Sequence, residues 1–121
     1  MIRDSLYIQV FADRFVIRSI ASGRSQTVPR DMTYASPRML IADFTMAWHQ
    51  LRNGIKSVRQ GILAPELLFH PKELFDGGLT QVEHKVFADL GTRVGASRVG
   101  LWVGDDLPAE DVRRAIRDYK Y

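Results

Sequence analysis

Residues Ser5 to Gly23, SLYIQVFADRFVIRSIASG, decide the fold that the sequence predicts. Apolar side chains alternate with other residues over Leu6 to Val10, and a second β-branched and aromatic run covers Phe15 to Ile17. Both patterns favour strands over helices. Asp13 lies between the two runs and suits a tight turn. The chain is therefore predicted to open with two strands joined by a short connection.

The rest of the sequence extends this hairpin into an α/β fold. Strand–helix–strand units predict parallel strands with right-handed crossovers, whereas the initial meander is antiparallel. The predicted order is βββαβαβα in a mixed sheet of the ribonuclease-H-like type. The elements after the hairpin are a strand at 25–28, a helix capped by Asp43 and ended by Gly61, a buried strand in APELLFHP (64–71), a helix from the Thr80–Glu83 capping box to Gly95, a strand in SRVGLWVGDD (97–106) and a helix over 109–121.

Composition narrows the class of protein. A chain of 121 residues with 45% hydrophobic and 26% charged residues predicts one globular domain over 1–121. It contains no cysteine, which excludes disulfides and thiol catalysis. No apolar run is long enough to span a membrane, so we expect a cytoplasmic protein without an integral membrane segment. Lysine and arginine are scattered, and the net charge is only +3, so a mixed-charge surface is favoured over a nucleic-acid interface.

The tetrapeptide Asp89-Leu90-Gly91-Thr92 matches the letters of the phosphate loop in actin-like ATPases. A phosphate loop needs backbone N–H groups that are free to face the ligand. The tetrapeptide instead falls inside the predicted helix that starts at Thr80, where N–H groups bond to carbonyls four residues earlier. The match is therefore predicted to be a coincidence, with Leu90 in the core.

Three segments nevertheless resemble bacterial actin-like rod-shape proteins of the MreB type. The stretch from Leu40 to Val58 is similar to the family's Val-Ile-Ala-Asp-Phe followed by a long helix. The stretch from Glu66 to Val103 is similar in its strand ending at a proline, its helix opening with Thr-Gln-Val-Glu and its Gly-Ala-Ser-Arg before the next strand. The first hairpin lies where the family has its phosphate loop. The resemblance covers the first half of domain I and implies a single truncated actin-like domain.

The same resemblance implies that the phosphate loop is degenerate. The family's Asp-Leu-Gly-Thr falls on Gln9-Val10-Phe11-Ala12. Gln9 therefore stands in place of the metal-associated acid, Phe11 in place of the glycine and Ala12 in place of the threonine. The second phosphate loop and the adenosine site belong to a later half of the family that the resemblance does not reach. We therefore expect no nucleotide, no cofactor and no ATPase activity, and the chain is predicted not to be an enzyme.

The resemblance implies a function through protein contacts, with the chain itself or with actin-like filaments in cell shape or cytoskeletal organisation. Exposed loops are the candidate contact sites. These are the hairpin at Asp13 and Arg14 and the loop at Asp76, Gly77 and Gly78.

Two alternatives remain open from the residues. A ribonuclease-H-like fold also hosts metal-dependent nucleases and phosphatases, for which the candidate acids are Asp43, Asp105 and Asp106. A helix-capping role for Asp43 and loop roles for Asp105 and Asp106 would also explain these acids. The three histidines lack the spacing of a metal site. A nucleic-acid-binding protein would require the scattered arginines to gather on one face.

Overall fold

The computed structural model describes residues 3–11, 13–30, 44–72 and 81–120. In this part of the chain, five strands and three helices follow one another. They are β1 (Ser5–Val10), β2 (Arg14–Ser19), β3 (Ser25–Pro29), α1 (Phe44–Val58), β4 (Glu66–Pro71), α2 (Gln81–Arg93), β5 (Arg98–Leu101) and α3 (Ala109–Asp118). Among these residues, no helix is both long and apolar enough to cross a membrane.

The five strands form one mixed sheet in the order β3-β2-β1-β4-β5. β2 pairs antiparallel with β1 and β3, whereas β4 pairs parallel with β1 and with β5. Only β2 therefore runs against the other described strands. The predicted α/β fold with a mixed sheet is confirmed, and β1 lies at its centre.

Helices cover both faces of this sheet. α1 and α2 pack on the face that carries Leu6, Ile8 and Val10 of the central strand, all fully buried. α3 packs on the other face, where Tyr7 and Leu68 meet Val112 and Ile116. Each fully buried aliphatic side chain contributes about 1.5–3 kcal/mol relative to exposure. α3 contacts β1, β4 and β5, and leaves Arg18 of β2 exposed on its side of the sheet.

The Asp89–Thr92 tetrapeptide lies within α2, as predicted. Leu90 is fully buried in the core. Gly91 lies at a close approach of α2 to β5: a Cβ at this position would be 2.4 Å from Cγ2 of Val99. The glycine is therefore explained by close helix–sheet packing and not by a ligand.

Gly95 ends α2, also as predicted. Its φ of +94° is in the left-handed region that favours glycine. Its N–H donates to the carbonyl of Thr92 at 3.0 Å, and the N–H of Ala96 donates to the carbonyl of Gly91 at 3.0 Å. These two bonds form a Schellman motif that satisfies carbonyls left free at the helix end.

A buried carboxylate anchors the amino end of β1. Asp4 is fully buried, and the backbone N–H groups of Ser5, Ala21 and Gln60 donate to it at 2.8, 3.1 and 2.9 Å. The Ser19 hydroxyl donates at 2.5 Å to Oδ2, which also accepts the Gln60 N–H, whereas Oδ1 accepts the N–H groups of Ser5 and Ala21. One side chain thus joins β1 to the turn after β2 and to the residues that follow α1.

The strand near residue 100 is shorter than the sequence predicts. Val99 packs against the core and Leu101 is buried within it, but Val103, which lies in the stretch where a strand was predicted, is beyond β5 and 47% exposed. The prediction was wrong for Val103 because the chain turns after Leu101, where Gly104 has a φ of +145°. Trp102 follows the strand and packs half-buried against the α3 cluster.

Candidate functional site at the carboxyl edge of the sheet

Polar side chains meet where β1 and β4 end. The parallel register pairs Gln9 with His70, and Tyr7 lies two residues before Gln9 on the same face. The N–H of Lys72 donates to the carbonyl of Val10 at 2.9 Å, so the chain beyond β4 stays close to β1. The loop between β5 and α3 supplies the other contacts to this cluster.

Tyr7 and His70 form a hydrogen-bonded chain with that loop. The imidazole Nε2 lies 2.9 Å from the carbonyl oxygen of Gly104, which can only accept, so Nε2 carries the proton. The other ring nitrogen, Nδ1, lies 2.5 Å from the Tyr7 hydroxyl and accepts a hydrogen bond from it. The same hydroxyl accepts the N–H of Leu107 at 3.2 Å. Both ring nitrogens are therefore occupied by protein groups.

Burial keeps both side chains of this pair neutral near pH 7. Desolvation is the largest effect on His70 and lowers its pKa, with the nearby Lys72 cation acting in the same direction. Desolvation also raises the pKa of Tyr7, although the N–H of Leu107 opposes the shift. A neutral pair with both ring nitrogens and the hydroxyl bonded holds the loop in place.

Asp106 is held by two side chains from the strand ends. Its Oδ1 accepts a hydrogen bond from Nζ of Lys72, and Nε2 of Gln9 donates to the same oxygen at 3.1 Å. The bond from Lys72 is the main reason that the pKa of Asp106 lies below its usual value. Asp106 itself is largely exposed, so this cluster lies at the surface beyond the end of β1.

The lowered pKa of His70 predicts a pH-dependent stability. In the unfolded chain the imidazole binds a proton more readily, so acid favours unfolding. The free energy of unfolding should rise with pH between the folded-state pKa of His70 and about 6.5, the ordinary histidine pKa. Urea unfolding from pH 5 to 8 measures this rise. Asp106 does not contribute in this window, because its pKa is lowered from 3.8.

The matched variant is His70→Gln, which can accept from Tyr7 and donate to the carbonyl of Gly104 without titrating. Its stability should lack the part of the pH slope that comes from His70. Equal slopes for the wild type and the variant would show that His70 is not the group responsible.

A cleft of about 400 Å³ lies beside this cluster. Its lining includes Tyr7, Gln9 and Asp106 on one side and Val16 and Arg18 of β2 on the other. It exists because α3 covers β1 but not β2, so the outer face of β2 forms a floor next to the β5–α3 loop.

The structure places the predicted contact residues of the first hairpin at the surface. Nη1 of Arg14 lies 2.7 Å from Oδ1 of Asp13, and both side chains are substantially exposed. The guanidinium carbon of Arg14 also lies 3.7 Å from the ring centroid of Phe11. Ala12 and the predicted contact residues Asp76, Gly77 and Gly78 lie outside the described residues.

The three acids of the alternative metal site are not seen together. Asp43 lies outside the described residues. Asp105 is exposed, and its carbonyl accepts the indole N–H of Trp102 at 2.8 Å, while Asp106 is bonded to Lys72 and Gln9. Within the described ranges, no three histidine or acidic side chains are placed to share a metal ion. The described geometry thus gives the nuclease or phosphatase alternative no support.

Sequence reasoning missed the central members of this cluster. From the sequence, His70 was only one of three histidines without metal-site spacing, but it is 1% exposed and bonded at both nitrogens. The alternation of Tyr7 and Gln9 was visible in the sequence, but their pairing with β4 depends on the register. A histidine that directly follows three apolar residues of a buried strand was the available indication.

Comparisons with known proteins add no identification. A scan of the sequence against protein-family models finds no match, and a search of curated proteins finds none either. The MreB-type resemblance therefore remains a prediction from the residues.

Proposed function

We propose that this chain is a non-catalytic actin-like module of the MreB type that acts through protein contacts in bacterial cell shape or cytoskeletal organisation. The proposal includes a ribonuclease-H-like sheet. The mixed strand arrangement supports this, because an antiparallel meander, β1-β2-β3, continues into parallel strands that follow helices.

The observation that carries the proposal is the contact between Gln9 and Asp106. In the resemblance, Gln9 stands in place of the acid that assists metal and water at the phosphate loop. Its amide is instead bonded to Asp106, which also binds Lys72. The Lys72 cation beside this position is thus neutralised by a carboxylate of the same chain.

The side chains of the hairpin support the same conclusion. Phe11, in the position of the family's glycine, lies under the guanidinium of Arg14. Its carbonyl accepts a hydrogen bond from the Arg30 guanidinium at 2.5 Å. An aromatic ring held in this way fills space that a phosphate loop leaves to the ligand. The hairpin is better suited to contact a protein surface, through the exposed Asp13–Arg14 pair.

The proposal is tested by co-sedimentation with filaments of a purified MreB-type protein. The wild-type chain should pellet with the filaments. A charge swap, Asp13→Arg with Arg14→Asp, keeps composition and net charge but reverses the hairpin pair, and should leave the chain in the supernatant. The control swap, Lys85→Asp with Asp89→Lys, reverses another exposed ion pair, 3.5 Å apart on α2, and should pellet like the wild type.

Two results would contradict the proposal. A wild-type chain that stays in the supernatant with filaments and also fails to self-associate in sedimentation without them would remove the contact function. A melting temperature raised by millimolar ATP and magnesium would remove the non-catalytic assignment, since a ligand that binds only the folded state stabilises it.

A further inference from the structure

A tryptophan on α1 lies beside two arginines that come from different helices. The guanidinium carbon of Arg93, in the last turn of α2, is 4.6 Å from the ring centroid of Trp48. The guanidinium carbon of Arg52, one turn further along α1, is 5.9 Å from it. We call these three residues the tryptophan–arginine patch. Both arginines are exposed, and Trp48 is half-buried at the margin of the core.

The indole N–H of Trp48 has no hydrogen-bond partner among the described residues. Its nitrogen is the one buried side-chain polar atom without such a partner in the described part of the chain. Trp102 shows the usual arrangement, in which the indole N–H donates to a carbonyl oxygen. A buried donor without an acceptor is unfavourable, so Trp48 is not placed there to satisfy its own indole N–H.

Neither guanidinium group forms an ion pair with an acidic side chain of the described residues. The ion pairs found among the described residues lie elsewhere, on the first hairpin, at Asp106 and within α2. Other arginines, such as Arg24 and Arg59, donate to backbone carbonyls. Arg52 and Arg93 show neither kind of bond in the described structure and instead place two positive charges on one aromatic ring.

We infer that the tryptophan–arginine patch is a docking surface for an acidic segment of a partner protein. Aspartate and glutamate carboxylates bind guanidinium groups through paired N–H···O bonds, and the indole offers an apolar surface to the rest of the segment. Tryptophan and arginine are also the residues that most often dominate protein interfaces. This surface is separate from the Asp13–Arg14 hairpin, so the inference goes beyond the proposed function and does not depend on actin-like identity.

Fluorescence of Trp48 provides the test. The chain has two tryptophans, so Trp102→Phe leaves Trp48 as the only indole. The probe is a twelve-residue peptide of aspartate, glutamate, glycine and one leucine, and its control replaces every acid with the corresponding amide. The acidic peptide should change the Trp48 emission saturably, whereas the amide peptide should not. Raising the salt concentration should weaken the binding, since the contacts are exposed and charged.

Matched variants separate the patch from general charge attraction. Arg52→Gln with Arg93→Gln should weaken peptide binding by about tenfold or more, the loss expected when charge-assisted bonds are removed. Arg114→Gln with Arg117→Gln removes two exposed arginines of α3 and should leave the affinity unchanged. Isothermal titration of the same variants with Trp102 retained checks that the Phe replacement has no influence.

Each other outcome overturns the inference. Equal binding of the amide peptide would exclude recognition of carboxylates. Equal losses in both double variants would indicate unspecific attraction. Competition by inorganic phosphate as effective as that of the peptide would indicate a small-anion site. Concentration-dependent self-association that the Arg52 and Arg93 replacements abolish would assign the surface to a second copy of the chain. None of these results bears on filament sedimentation, so the inference and the proposed function fail separately.

Discussion

Asp4→Ala is expected to lower the free energy of unfolding by about 3–5 kcal/mol, the range for a buried charged group whose partners are left unpaired. The carboxylate is fully buried and accepts three backbone N–H groups and the Ser19 hydroxyl. Alanine leaves the Ser5 N–H and the Ser19 hydroxyl without this acceptor in the interior, and the N–H groups of Ala21 and Gln60 without it in part-buried positions. A domain of this size has about 5–15 kcal/mol of stability, so much of it would be lost. Urea unfolding at pH 7 measures the change.

Asp4→Asn is the informative second variant if alanine prevents folding. Asparagine keeps the shape but replaces one accepting oxygen with an NH₂ group, so it should be less harmful than alanine and still clearly destabilising. Asp105→Ala, at an exposed carboxylate, is the control and should change stability by less than about 0.5 kcal/mol. Equal stability of Asp4→Ala and Asp105→Ala would show that the buried network does not stabilise the fold.

Gly91→Ala is expected to destabilise the protein by about 1–3 kcal/mol, the usual cost of overpacking a core. Helix propensity alone predicts the opposite, a gain of about 1 kcal/mol. The added methyl group would lie 2.4 and 3.0 Å from the two methyl carbons of Val99 and 3.3 Å from the Phe69 ring. These distances are shorter than normal contacts, so the side chains of β4 and β5 or the helix itself would have to move. Chemical denaturation of the single variant gives the sign directly.

A double-mutant cycle identifies the contact responsible. Val99→Ala removes both methyl groups that the new side chain would meet, so the double variant should be more stable than the sum of the two single changes predicts, by about 0.5–3 kcal/mol. Additive effects would show that the close approach of α2 to β5 does not cause the loss.

Much of the fold could be predicted because local patterns and packing agree. The apolar run of β4 and the predicted core position of Leu90 matched the burial later observed, and the apolar positions of β1 are buried, although β1 is buried on both faces. Gly95 was recognisable as a helix end because its position after the apolar stripe needs a left-handed residue. Val103 was misplaced because β-branched composition continues past the residue at which sheet pairing ends.

The candidate site was much less predictable because it depends on register and on long-range contacts. The sequence drew attention to Gln9 only because it replaces the acid of the family's phosphate loop. Its bond to Asp106 could not be predicted, because the two residues lie far apart in the sequence. His70, Lys72 and Asp4 carry no motif, and their roles come from the neighbours that the folded sheet brings to them. The pairing of Trp48 with Arg93 likewise depends on how two helices pack side by side.

The central place of β1 has a consequence for the order in which the chain is made. Its antiparallel neighbour, β2, follows after a short hairpin and is available almost as soon as β1 leaves the ribosome. Its parallel neighbour, β4, comes only after β3 and α1 have been synthesised. During that interval the other edge of this buried central strand has unpaired backbone groups, which are prone to pair with the wrong chain. Nascent chains of this protein should therefore depend on chaperone protection until Glu66–Pro71 emerges.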